Sequence, residues 1–156
     1  AGASPSVRVS AEGPLFVRAE SLSYTPYVER SEAPMTLSIQ GENGDARHTA
    51  SLELGVHATS EVPSPILLIQ LPAGIAADEA LLSSIRNSGM VVRVEPRTPG
   101  LLRVALAPLA SGVDVRIPLP IHWTVRGTMR GLGVVAYEAS VPGRTTVLAP
   151  RSVTIQ

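Results

Sequence analysis

Apolar and polar residues alternate along most of this chain, which is the pattern of half-buried β-strands. Residues 7–10, 15–20 and 35–39 show the alternation early, and residues 113–117 and 151–156 show it late. Turn-forming residues separate these runs at intervals of roughly 8–12 residues, which suits about ten short strands. The pattern predicts an all-β protein, an immunoglobulin-like antiparallel β-sandwich.

Several turns and strands can be placed more closely. Residues 41–45 form a turn cluster around Asn-Gly, which predicts a hairpin that returns through residues 51–58. Residues 66–69 are continuously apolar, as expected for a strand buried on both faces. Because proline cannot donate to a sheet ladder, Pro118 and Pro120 confine their strand to a sheet edge or a bend.

One segment carries a helical signal instead. After a Leu-Pro-Ala-Gly phrase, Asp78 is in position to cap a helix, and Leu81, Leu82 and Ile85 share one face. Gly89 then supplies a residue that tolerates left-handed backbone and ends the helix. The segment predicts one short inserted α-helix, at about residues 77–88, held by packing on the sheets.

Composition narrows the function classes. Thirteen basic and thirteen acidic residues cancel, so no basic footprint for nucleic acid is expected. The chain has no cysteine, which excludes disulfides and thiolate chemistry, and every cation is arginine. No apolar run reaches the roughly 20 residues of a membrane span. The first residue is alanine, so we expect an excised or processed product.

No group of residues predicts catalysis, a metal site or a cofactor. His48, His57 and His122 lack metal-ligand spacing and are interpreted as solvent-facing. Ser83 and Ser84 lack a nucleophile elbow, and Asp78 and Glu79 point apart on a helix and suit its positive end.

Two further patterns have structural interpretations. The glycines at 127–133 lack phosphate-loop order, and a hairpin turn explains them better. Trp123 and Tyr137 could form a ligand platform on paired strands, but core or edge packing is the preferred interpretation. We therefore expect a protein that is not an enzyme and has no small-molecule substrate.

The order of these weak motifs resembles the carboxyl-terminal region of the alpha-2-macroglobulin family. The matching phrases are Leu-Pro-Ala-Gly at 71–74, Asn-Ser-Gly at 87–89, the strand 91–95, Leu-Ala-Ser-Gly at 109–112 and Val-Ala-Tyr-Glu at 135–138. The resemblance implies that residues 1–33 are the terminal strands of a CUB-type domain plus a linker. Residues 34–156 would then form the receptor-binding, or last macroglobulin-like, β-sandwich.

The departures from the family limit what is carried over. A thioester cannot form in a chain without cysteine, and the helix has no lysine for the receptor contact of the vertebrate proteins. The resemblance then implies a non-catalytic, protein-binding domain of a secreted bacterial macroglobulin-like protein of the protease-trapping class. We expect it in the periplasm or outside the cell, with Asp78, Glu79, Ser83 and Arg86 as the partner surface.

One alternative stays open at this point. The same pattern suits a free-standing immunoglobulin-like binding or adhesion module of a bacterial envelope or secreted assembly. Such a module would recognise partners by adding a strand to an exposed sheet edge.

Overall fold

A computed structural model describes residue 13 and residues 28–41, 49–75, 77–123 and 126–155. These residues form eleven strands and one helix: β1 Arg30–Ser31, β2 Met35–Gln40, β3 Thr49–Ala58, β4 Pro65–Gln70, α1 Glu79–Arg86, β5 Val91–Thr98, β6 Leu101–Leu106, β7 Asp114–His122, β8 Gly127–Arg130, β9 Gly133–Glu138, β10 Thr145–Leu148 and β11 Ser152–Ile155. The predicted strands at 7–10 and 15–20, and the turn beyond Gly41, lie outside the described residues.

Every strand pair is antiparallel. A six-stranded sheet has the order β1-β10-β9-β4-β6-β5, a three-stranded sheet has the order β2-β3-β7, and β8 pairs with β11. The inward residues of the two larger sheets belong to one hydrophobic cluster, so the predicted β-sandwich is confirmed. No helix among the described residues is long and apolar enough to cross a membrane.

The core is aliphatic because alternate strand residues point inward. Leu52, Leu54 and Val56 of β3 face Leu67 and Ile69 of β4 in the same cluster, and all five are at most 1% exposed. At about 25 cal/mol per Å² of apolar surface, a core of such side chains supplies most of the folding drive.

The helix is shorter than predicted, with eight residues in place of about twelve. The Asp78 carboxylate accepts the Leu81 backbone N–H at 2.9 Å, so Asp78 is a cap and residues 77–78 are non-helical. Asn87 caps the other end, and Gly89 has the predicted positive φ, 80°. Leu81, Leu82 and Ile85 are buried, as the pattern predicts.

Of two further predictions, one is confirmed and one is wrong. Pro118 and Pro120 lie on β7, an outer strand of its sheet, which confirms the edge prediction. The glycine-containing segment that was interpreted as a turn instead contains β8, which pairs with β11, because residues 127–130 are extended.

The chain enters the sandwich by crossing between its sheets. β1 pairs with β10 in the six-stranded sheet, whereas β2 pairs with β3 in the other sheet. The Thr146 hydroxyl donates to the carbonyl of Met35 at 2.8 Å and lies 3.4 Å from that of Ala33. This buried threonine therefore joins the two sheets at the crossing. β1 lies within the predicted linker, and the domain boundary at residues 33/34 stays a prediction.

Candidate protein-interaction surfaces

The helix face predicted as a partner surface consists of Asp78, Glu79, Ser83 and Arg86. Glu79 and Arg86 form an ion pair at 2.7 Å, and the Ser83 hydroxyl donates to the same Glu79 oxygen at 3.4 Å. The structure thus brings three of these residues together on the outer face of α1, opposite the buried Leu81 and Ile85. Asp78 is at the start of the helix, where its carboxylate caps α1.

The neighbouring serine has a structural role. The Ser84 hydroxyl donates to the Pro118 carbonyl of β7 at 3.3 Å. In an antiparallel strand the N and C=O of one residue point to the same side, so the ring nitrogen of Pro118 also faces the helix. Proline is tolerated there because no strand among the described residues pairs with that side of β7.

The histidines do not converge. His57 Nδ1 lies 2.9 Å from Asp114 Oδ1, and both side chains are largely exposed. His122 is in register with Thr49. It lies eight residues after Asp114 on β7, and eight residues of extended strand span about 26 Å. His48 lies outside the described residues. The part of the chain that is described contains no cluster of three or more metal-ligating side chains.

The two aromatic residues lie in different parts of the sandwich. Trp123 follows β7 and is 5% exposed in the core cluster, whereas Tyr137 is on β9 of the six-stranded sheet. They are not on paired strands, so they do not form the ligand platform that the sequence allowed. The burial of Trp123 confirms its core interpretation. Its indole N–H has no hydrogen-bond partner among the described residues.

A shallow polar cleft of 210 Å³ lies on the outer face of the three-stranded sheet. Gly55 forms its centre, between Ser38 of β2 and Arg116 of β7 in the strand register. Arg116 pairs with Glu53 at 3.2 Å. The cleft exists because Gly55 carries no side chain. The registers of β3 with β2 and β7, which place Ser38 and Arg116 on either side of Gly55, could not be predicted from the sequence.

An arginine cluster forms on the opposite sheet, around Glu95 of β5. Arg93, Arg97 and Arg103 each place a guanidinium nitrogen within 3.3 Å of the Glu95 carboxylate, which is only 19% exposed. Partial burial alone would raise the pKa of Glu95, but the charges of the three arginines and a hydrogen bond from Arg103 hold that pKa below its ordinary value.

Three outer strands of the two larger sheets are protected against pairing with another chain. β5 carries Pro96, alternating charges and two register shifts. β7 carries Pro118 and Pro120 and packs against α1. β1 is two residues long. Prolines, charges, bulges and short length are the usual means of keeping sheet edges from pairing.

β2 has none of this protection. Its sequence, Met-Thr-Leu-Ser-Ile-Gln, has no charge and no proline, and its register with β3 is unbroken over six residues. The Pro34 carbonyl accepts the Thr59 N–H, so even-numbered residues bond β3, and Met35, Leu37 and Ile39 direct their backbone groups outward. No described strand pairs with this side of β2.

A groove of 360 Å³ runs beside the open side of β2. Thr36 and Leu37 form one wall, and Arg30 of β1 with Val147 and Leu148 of β10 form the other. Leu37 and Leu148 contact the core but are only partly buried, so the sandwich is open along this seam. We call this site the β2 groove.

Comparison with known proteins supports the fold. No protein-family model and no curated protein sequence matches the chain. Among solved structures, trypsin-activated alpha-2-macroglobulin from Escherichia coli matches with a TM-score of 0.61 and 14% identity, over 86% of this chain and 11% of that one. Salmonella alpha-2-macroglobulin reacted with methylamine matches with 0.60 and 14%, over 83% and 10%.

A third match concerns part of such a protein. Native Escherichia coli alpha-2-macroglobulin from domain MG7 to the carboxyl terminus matches with a TM-score of 0.59 and 14% identity, over 81% of this chain and 24% of that one. The chain thus spans between a tenth and a quarter of the length of these proteins. At this identity the likeness shows the fold: an antiparallel sandwich of the kind found in bacterial alpha-2-macroglobulins.

Proposed function

We propose that this chain is a non-catalytic, protein-docking sandwich domain of a bacterial macroglobulin-like protein, and that the β2 groove is its docking site. The observation that carries the proposal is the unprotected edge of β2, which differs from the three protected outer strands. An open, regular, uncharged edge is a template for an added strand, and the groove beside it offers three apolar side chains, Leu37, Val147 and Leu148, among polar ones.

The occupant of the β2 groove is an extended segment from another domain of the same protein. Its backbone would pair with the outward groups of Leu37 and Ile39, and its alternate apolar side chains would cover Leu37 and Leu148. The shares of chain length support this occupant, because the similar solved chains are four to ten times longer than the matching region.

The finer parts of the proposal follow from the family resemblance. Residues 1–33 belong to a preceding CUB-type domain and linker, and residues 34–156 to the receptor-binding-type sandwich. The complete protein traps proteases in the periplasm or outside the cell, and its thioester belongs to a different domain because this chain has no cysteine. The helix face is a second, smaller contact surface.

The alternative is a free-standing immunoglobulin-like binding or adhesion module. Both candidates use a sheet edge, so the geometry of β2 does not separate them. The upstream reading frame does: a long multidomain chain with a Cys-Gly-x-x-Gln-type motif supports the macroglobulin proposal, whereas a leader peptide alone supports the alternative.

Cross-linking tests the docking site directly. Since the chain has no cysteine, Thr36→Cys in the β2 groove provides one unique thiol in this domain for a maleimide–diazirine photo-cross-linker. In the complete protein we expect mass spectrometry to find a cross-link from residue 36 to an extended segment of another domain. Ser152→Cys, at an exposed position of β11, is the matched control and should not capture that segment.

A blocking variant completes the test. Ile39→Pro removes one outward N–H from β2, so an added strand can no longer form a hydrogen bond to residue 39. We expect this variant to abolish the cross-link from residue 36. Absence of any interdomain cross-link at residue 36 in the complete protein, or a cross-link unchanged by Ile39→Pro, would contradict strand addition at β2.

A further inference from the structure

The arginine cluster is unbalanced in charge. In the other ion pairs of the described residues one acid meets one partner, as in Glu53–Arg116, Glu79–Arg86 and Asp114–His57. Glu95 alone among them is shared by three arginines. One carboxylate therefore leaves two positive charges uncompensated within a small area of a chain whose net charge is zero.

The backbone of β5 brings these arginines to one face. Glu95 pairs directly with Arg103 of β6, and the register shifts next to Arg93 and Arg97. Arg103 lies between the buried Leu102 and Val104, so its side chain points away from the core. Glu95 holds the guanidinium groups together, which lowers the conformational entropy that they would lose on binding a partner.

An apolar surface continues from the arginine cluster across the sheet. Leu68 of β4 is in register with Arg103 and with Val135 of β9, and Ile66 is in register with Tyr137. These four residues lie outside the core cluster, so they face the other side of the sheet. Ile66 is only 5% exposed, whereas Leu68, Val135 and Tyr137 are partly exposed, and we call these three the outer apolar row.

We propose that the arginine cluster and the outer apolar row form a further docking surface, separate from the β2 groove and from the helix face, for a protein segment that carries carboxylates beside apolar side chains. The surface lies on the six-stranded sheet and does not depend on the β2 groove, which opens beside the three-stranded one. Carboxylates match the forked donors of arginine, and the two uncompensated charges supply the complementarity.

The apolar row favours a protein over other anionic partners. A sulfated polysaccharide would engage the guanidinium groups but leave Leu68 and Val135 in water. Arginine and aromatic residues around an apolar centre are the composition of protein interfaces. Arg93 and Arg97 are 70% and 47% exposed, so their side chains are accessible to such a partner.

A titration with a defined probe tests the proposal. The probe is a fluorescent eight-residue peptide of alternating Leu and Glu, added to the isotope-labelled 156-residue chain. We expect the arginine Nε–Hε signals of Arg93, Arg97 and Arg103 to shift in NMR spectra, and binding to weaken between about 20 and 200 mM salt. The same peptide with Gln in place of Glu should bind at least about fivefold more weakly.

Variants assign the effect. Arg93→Gln with Arg97→Gln should weaken peptide binding at least fivefold, and Leu68→Ser should weaken it without changing the salt dependence. Arg116→Gln is the matched control, because Arg116 is 72% exposed on the other sheet and also pairs with a glutamate.

Three results would overturn the proposal: no shift of the three arginine signals, equal losses in Arg116→Gln and in the double variant, or tighter binding of a heparin oligosaccharide or anionic vesicles with no effect of Leu68→Ser. None of these results bears on the cross-link at residue 36. The proposals for the arginine cluster and for the β2 groove are therefore tested independently.

Discussion

Gly41 shows how one residue can be required by both conformation and space. Its φ is +87°, and a Cβ built there would lie 2.5 Å from the Ser51 carbonyl oxygen. Gly89 has a similar φ, +80°, but a Cβ there would meet nothing within 4 Å. Substitution of Gly89 would therefore introduce backbone strain alone, whereas substitution of Gly41 would add a steric clash to it.

We expect Gly89→Ala to lower the free energy of unfolding by about 1–2 kcal/mol, the cost of left-handed backbone for a residue with a Cβ. Gly41→Ala should cost more, because the backbone around Ser51 must also move. Urea denaturation of both variants measures the difference. Equal losses would show that the Ser51 carbonyl moves away freely.

Glu138 makes stability depend on pH. The hydroxyl of Ser140 donates to its carboxylate and holds the pKa of Glu138 below its ordinary value. Burial opposes this shift, and the backbone N–H groups of Ser140 and Val141 support it. Because the folded pKa lies below the unfolded one, the stabilisation is present above the unfolded value and is lost as pH falls through the folded value.

Ser140→Ala should lower the free energy of unfolding at neutral pH and reduce its decline between about pH 5 and 3. Ser111→Ala is the control, since the Ser111 hydroxyl donates to the Thr59 carbonyl, which does not titrate in this range. Urea midpoints at several pH values check both variants. An unchanged pH profile in Ser140→Ala would contradict the role of Ser140.

At the scale of elements, β2 directs alternate backbone groups to opposite sides. Ser38 bonds β3, whereas Ile39 directs its N–H to the open side. Ser38→Pro should therefore cost about 1–3 kcal/mol more than Ile39→Pro, because it leaves a ladder group on β3 without its partner. Thermal denaturation of both variants measures this difference. A larger loss of stability in Ile39→Pro would mean that Ile39, and not Ser38, donates its N–H to β3.

Element types could be predicted from sequence where local chemistry decides them. Asp78, Leu81 and Ile85 suffice to identify α1, and Pro118 identifies an edge strand, because a cap, a helical stripe and a missing donor are local properties. The turn predicted around Gly127 was wrong, since the pairing partner of β8 is β11, about 25 residues further along the chain. Glycine content alone does not reveal such a partner.

The surfaces were harder to predict than the elements. Glu79, Ser83 and Arg86 could be grouped in advance because helical spacing places them on one face. The arginine cluster depends on the register of β5 with β6 and on two shifts in it, and the β2 groove depends on which strands become outer strands. Tertiary pairing decides both, and no local pattern encodes it.

At the scale of the whole molecule, one core joins the sheets. The hydrophobic cluster includes residues of both larger sheets, α1, β11 and Trp123. A shared core of this kind favours all-or-none unfolding. We expect Trp123 fluorescence and far-ultraviolet circular dichroism to report the same urea midpoint within about 0.2 M, a match that two-state unfolding requires. Separate midpoints would show that the sheets unfold independently.

The crossing between β1 and β2 has a mechanical consequence. Tension applied at residue 28 would first load two residue pairs at the edge of the six-stranded sheet, Arg30 with Val147 and Ser31 with Thr146, before it reached β2 and the three-stranded sheet. Once these yield, the Thr146 hydroxyl still holds the carbonyl of Met35. The start of the sandwich should therefore unfold under force in two steps, in which β1 separates from β10 before β2 and the core are disrupted.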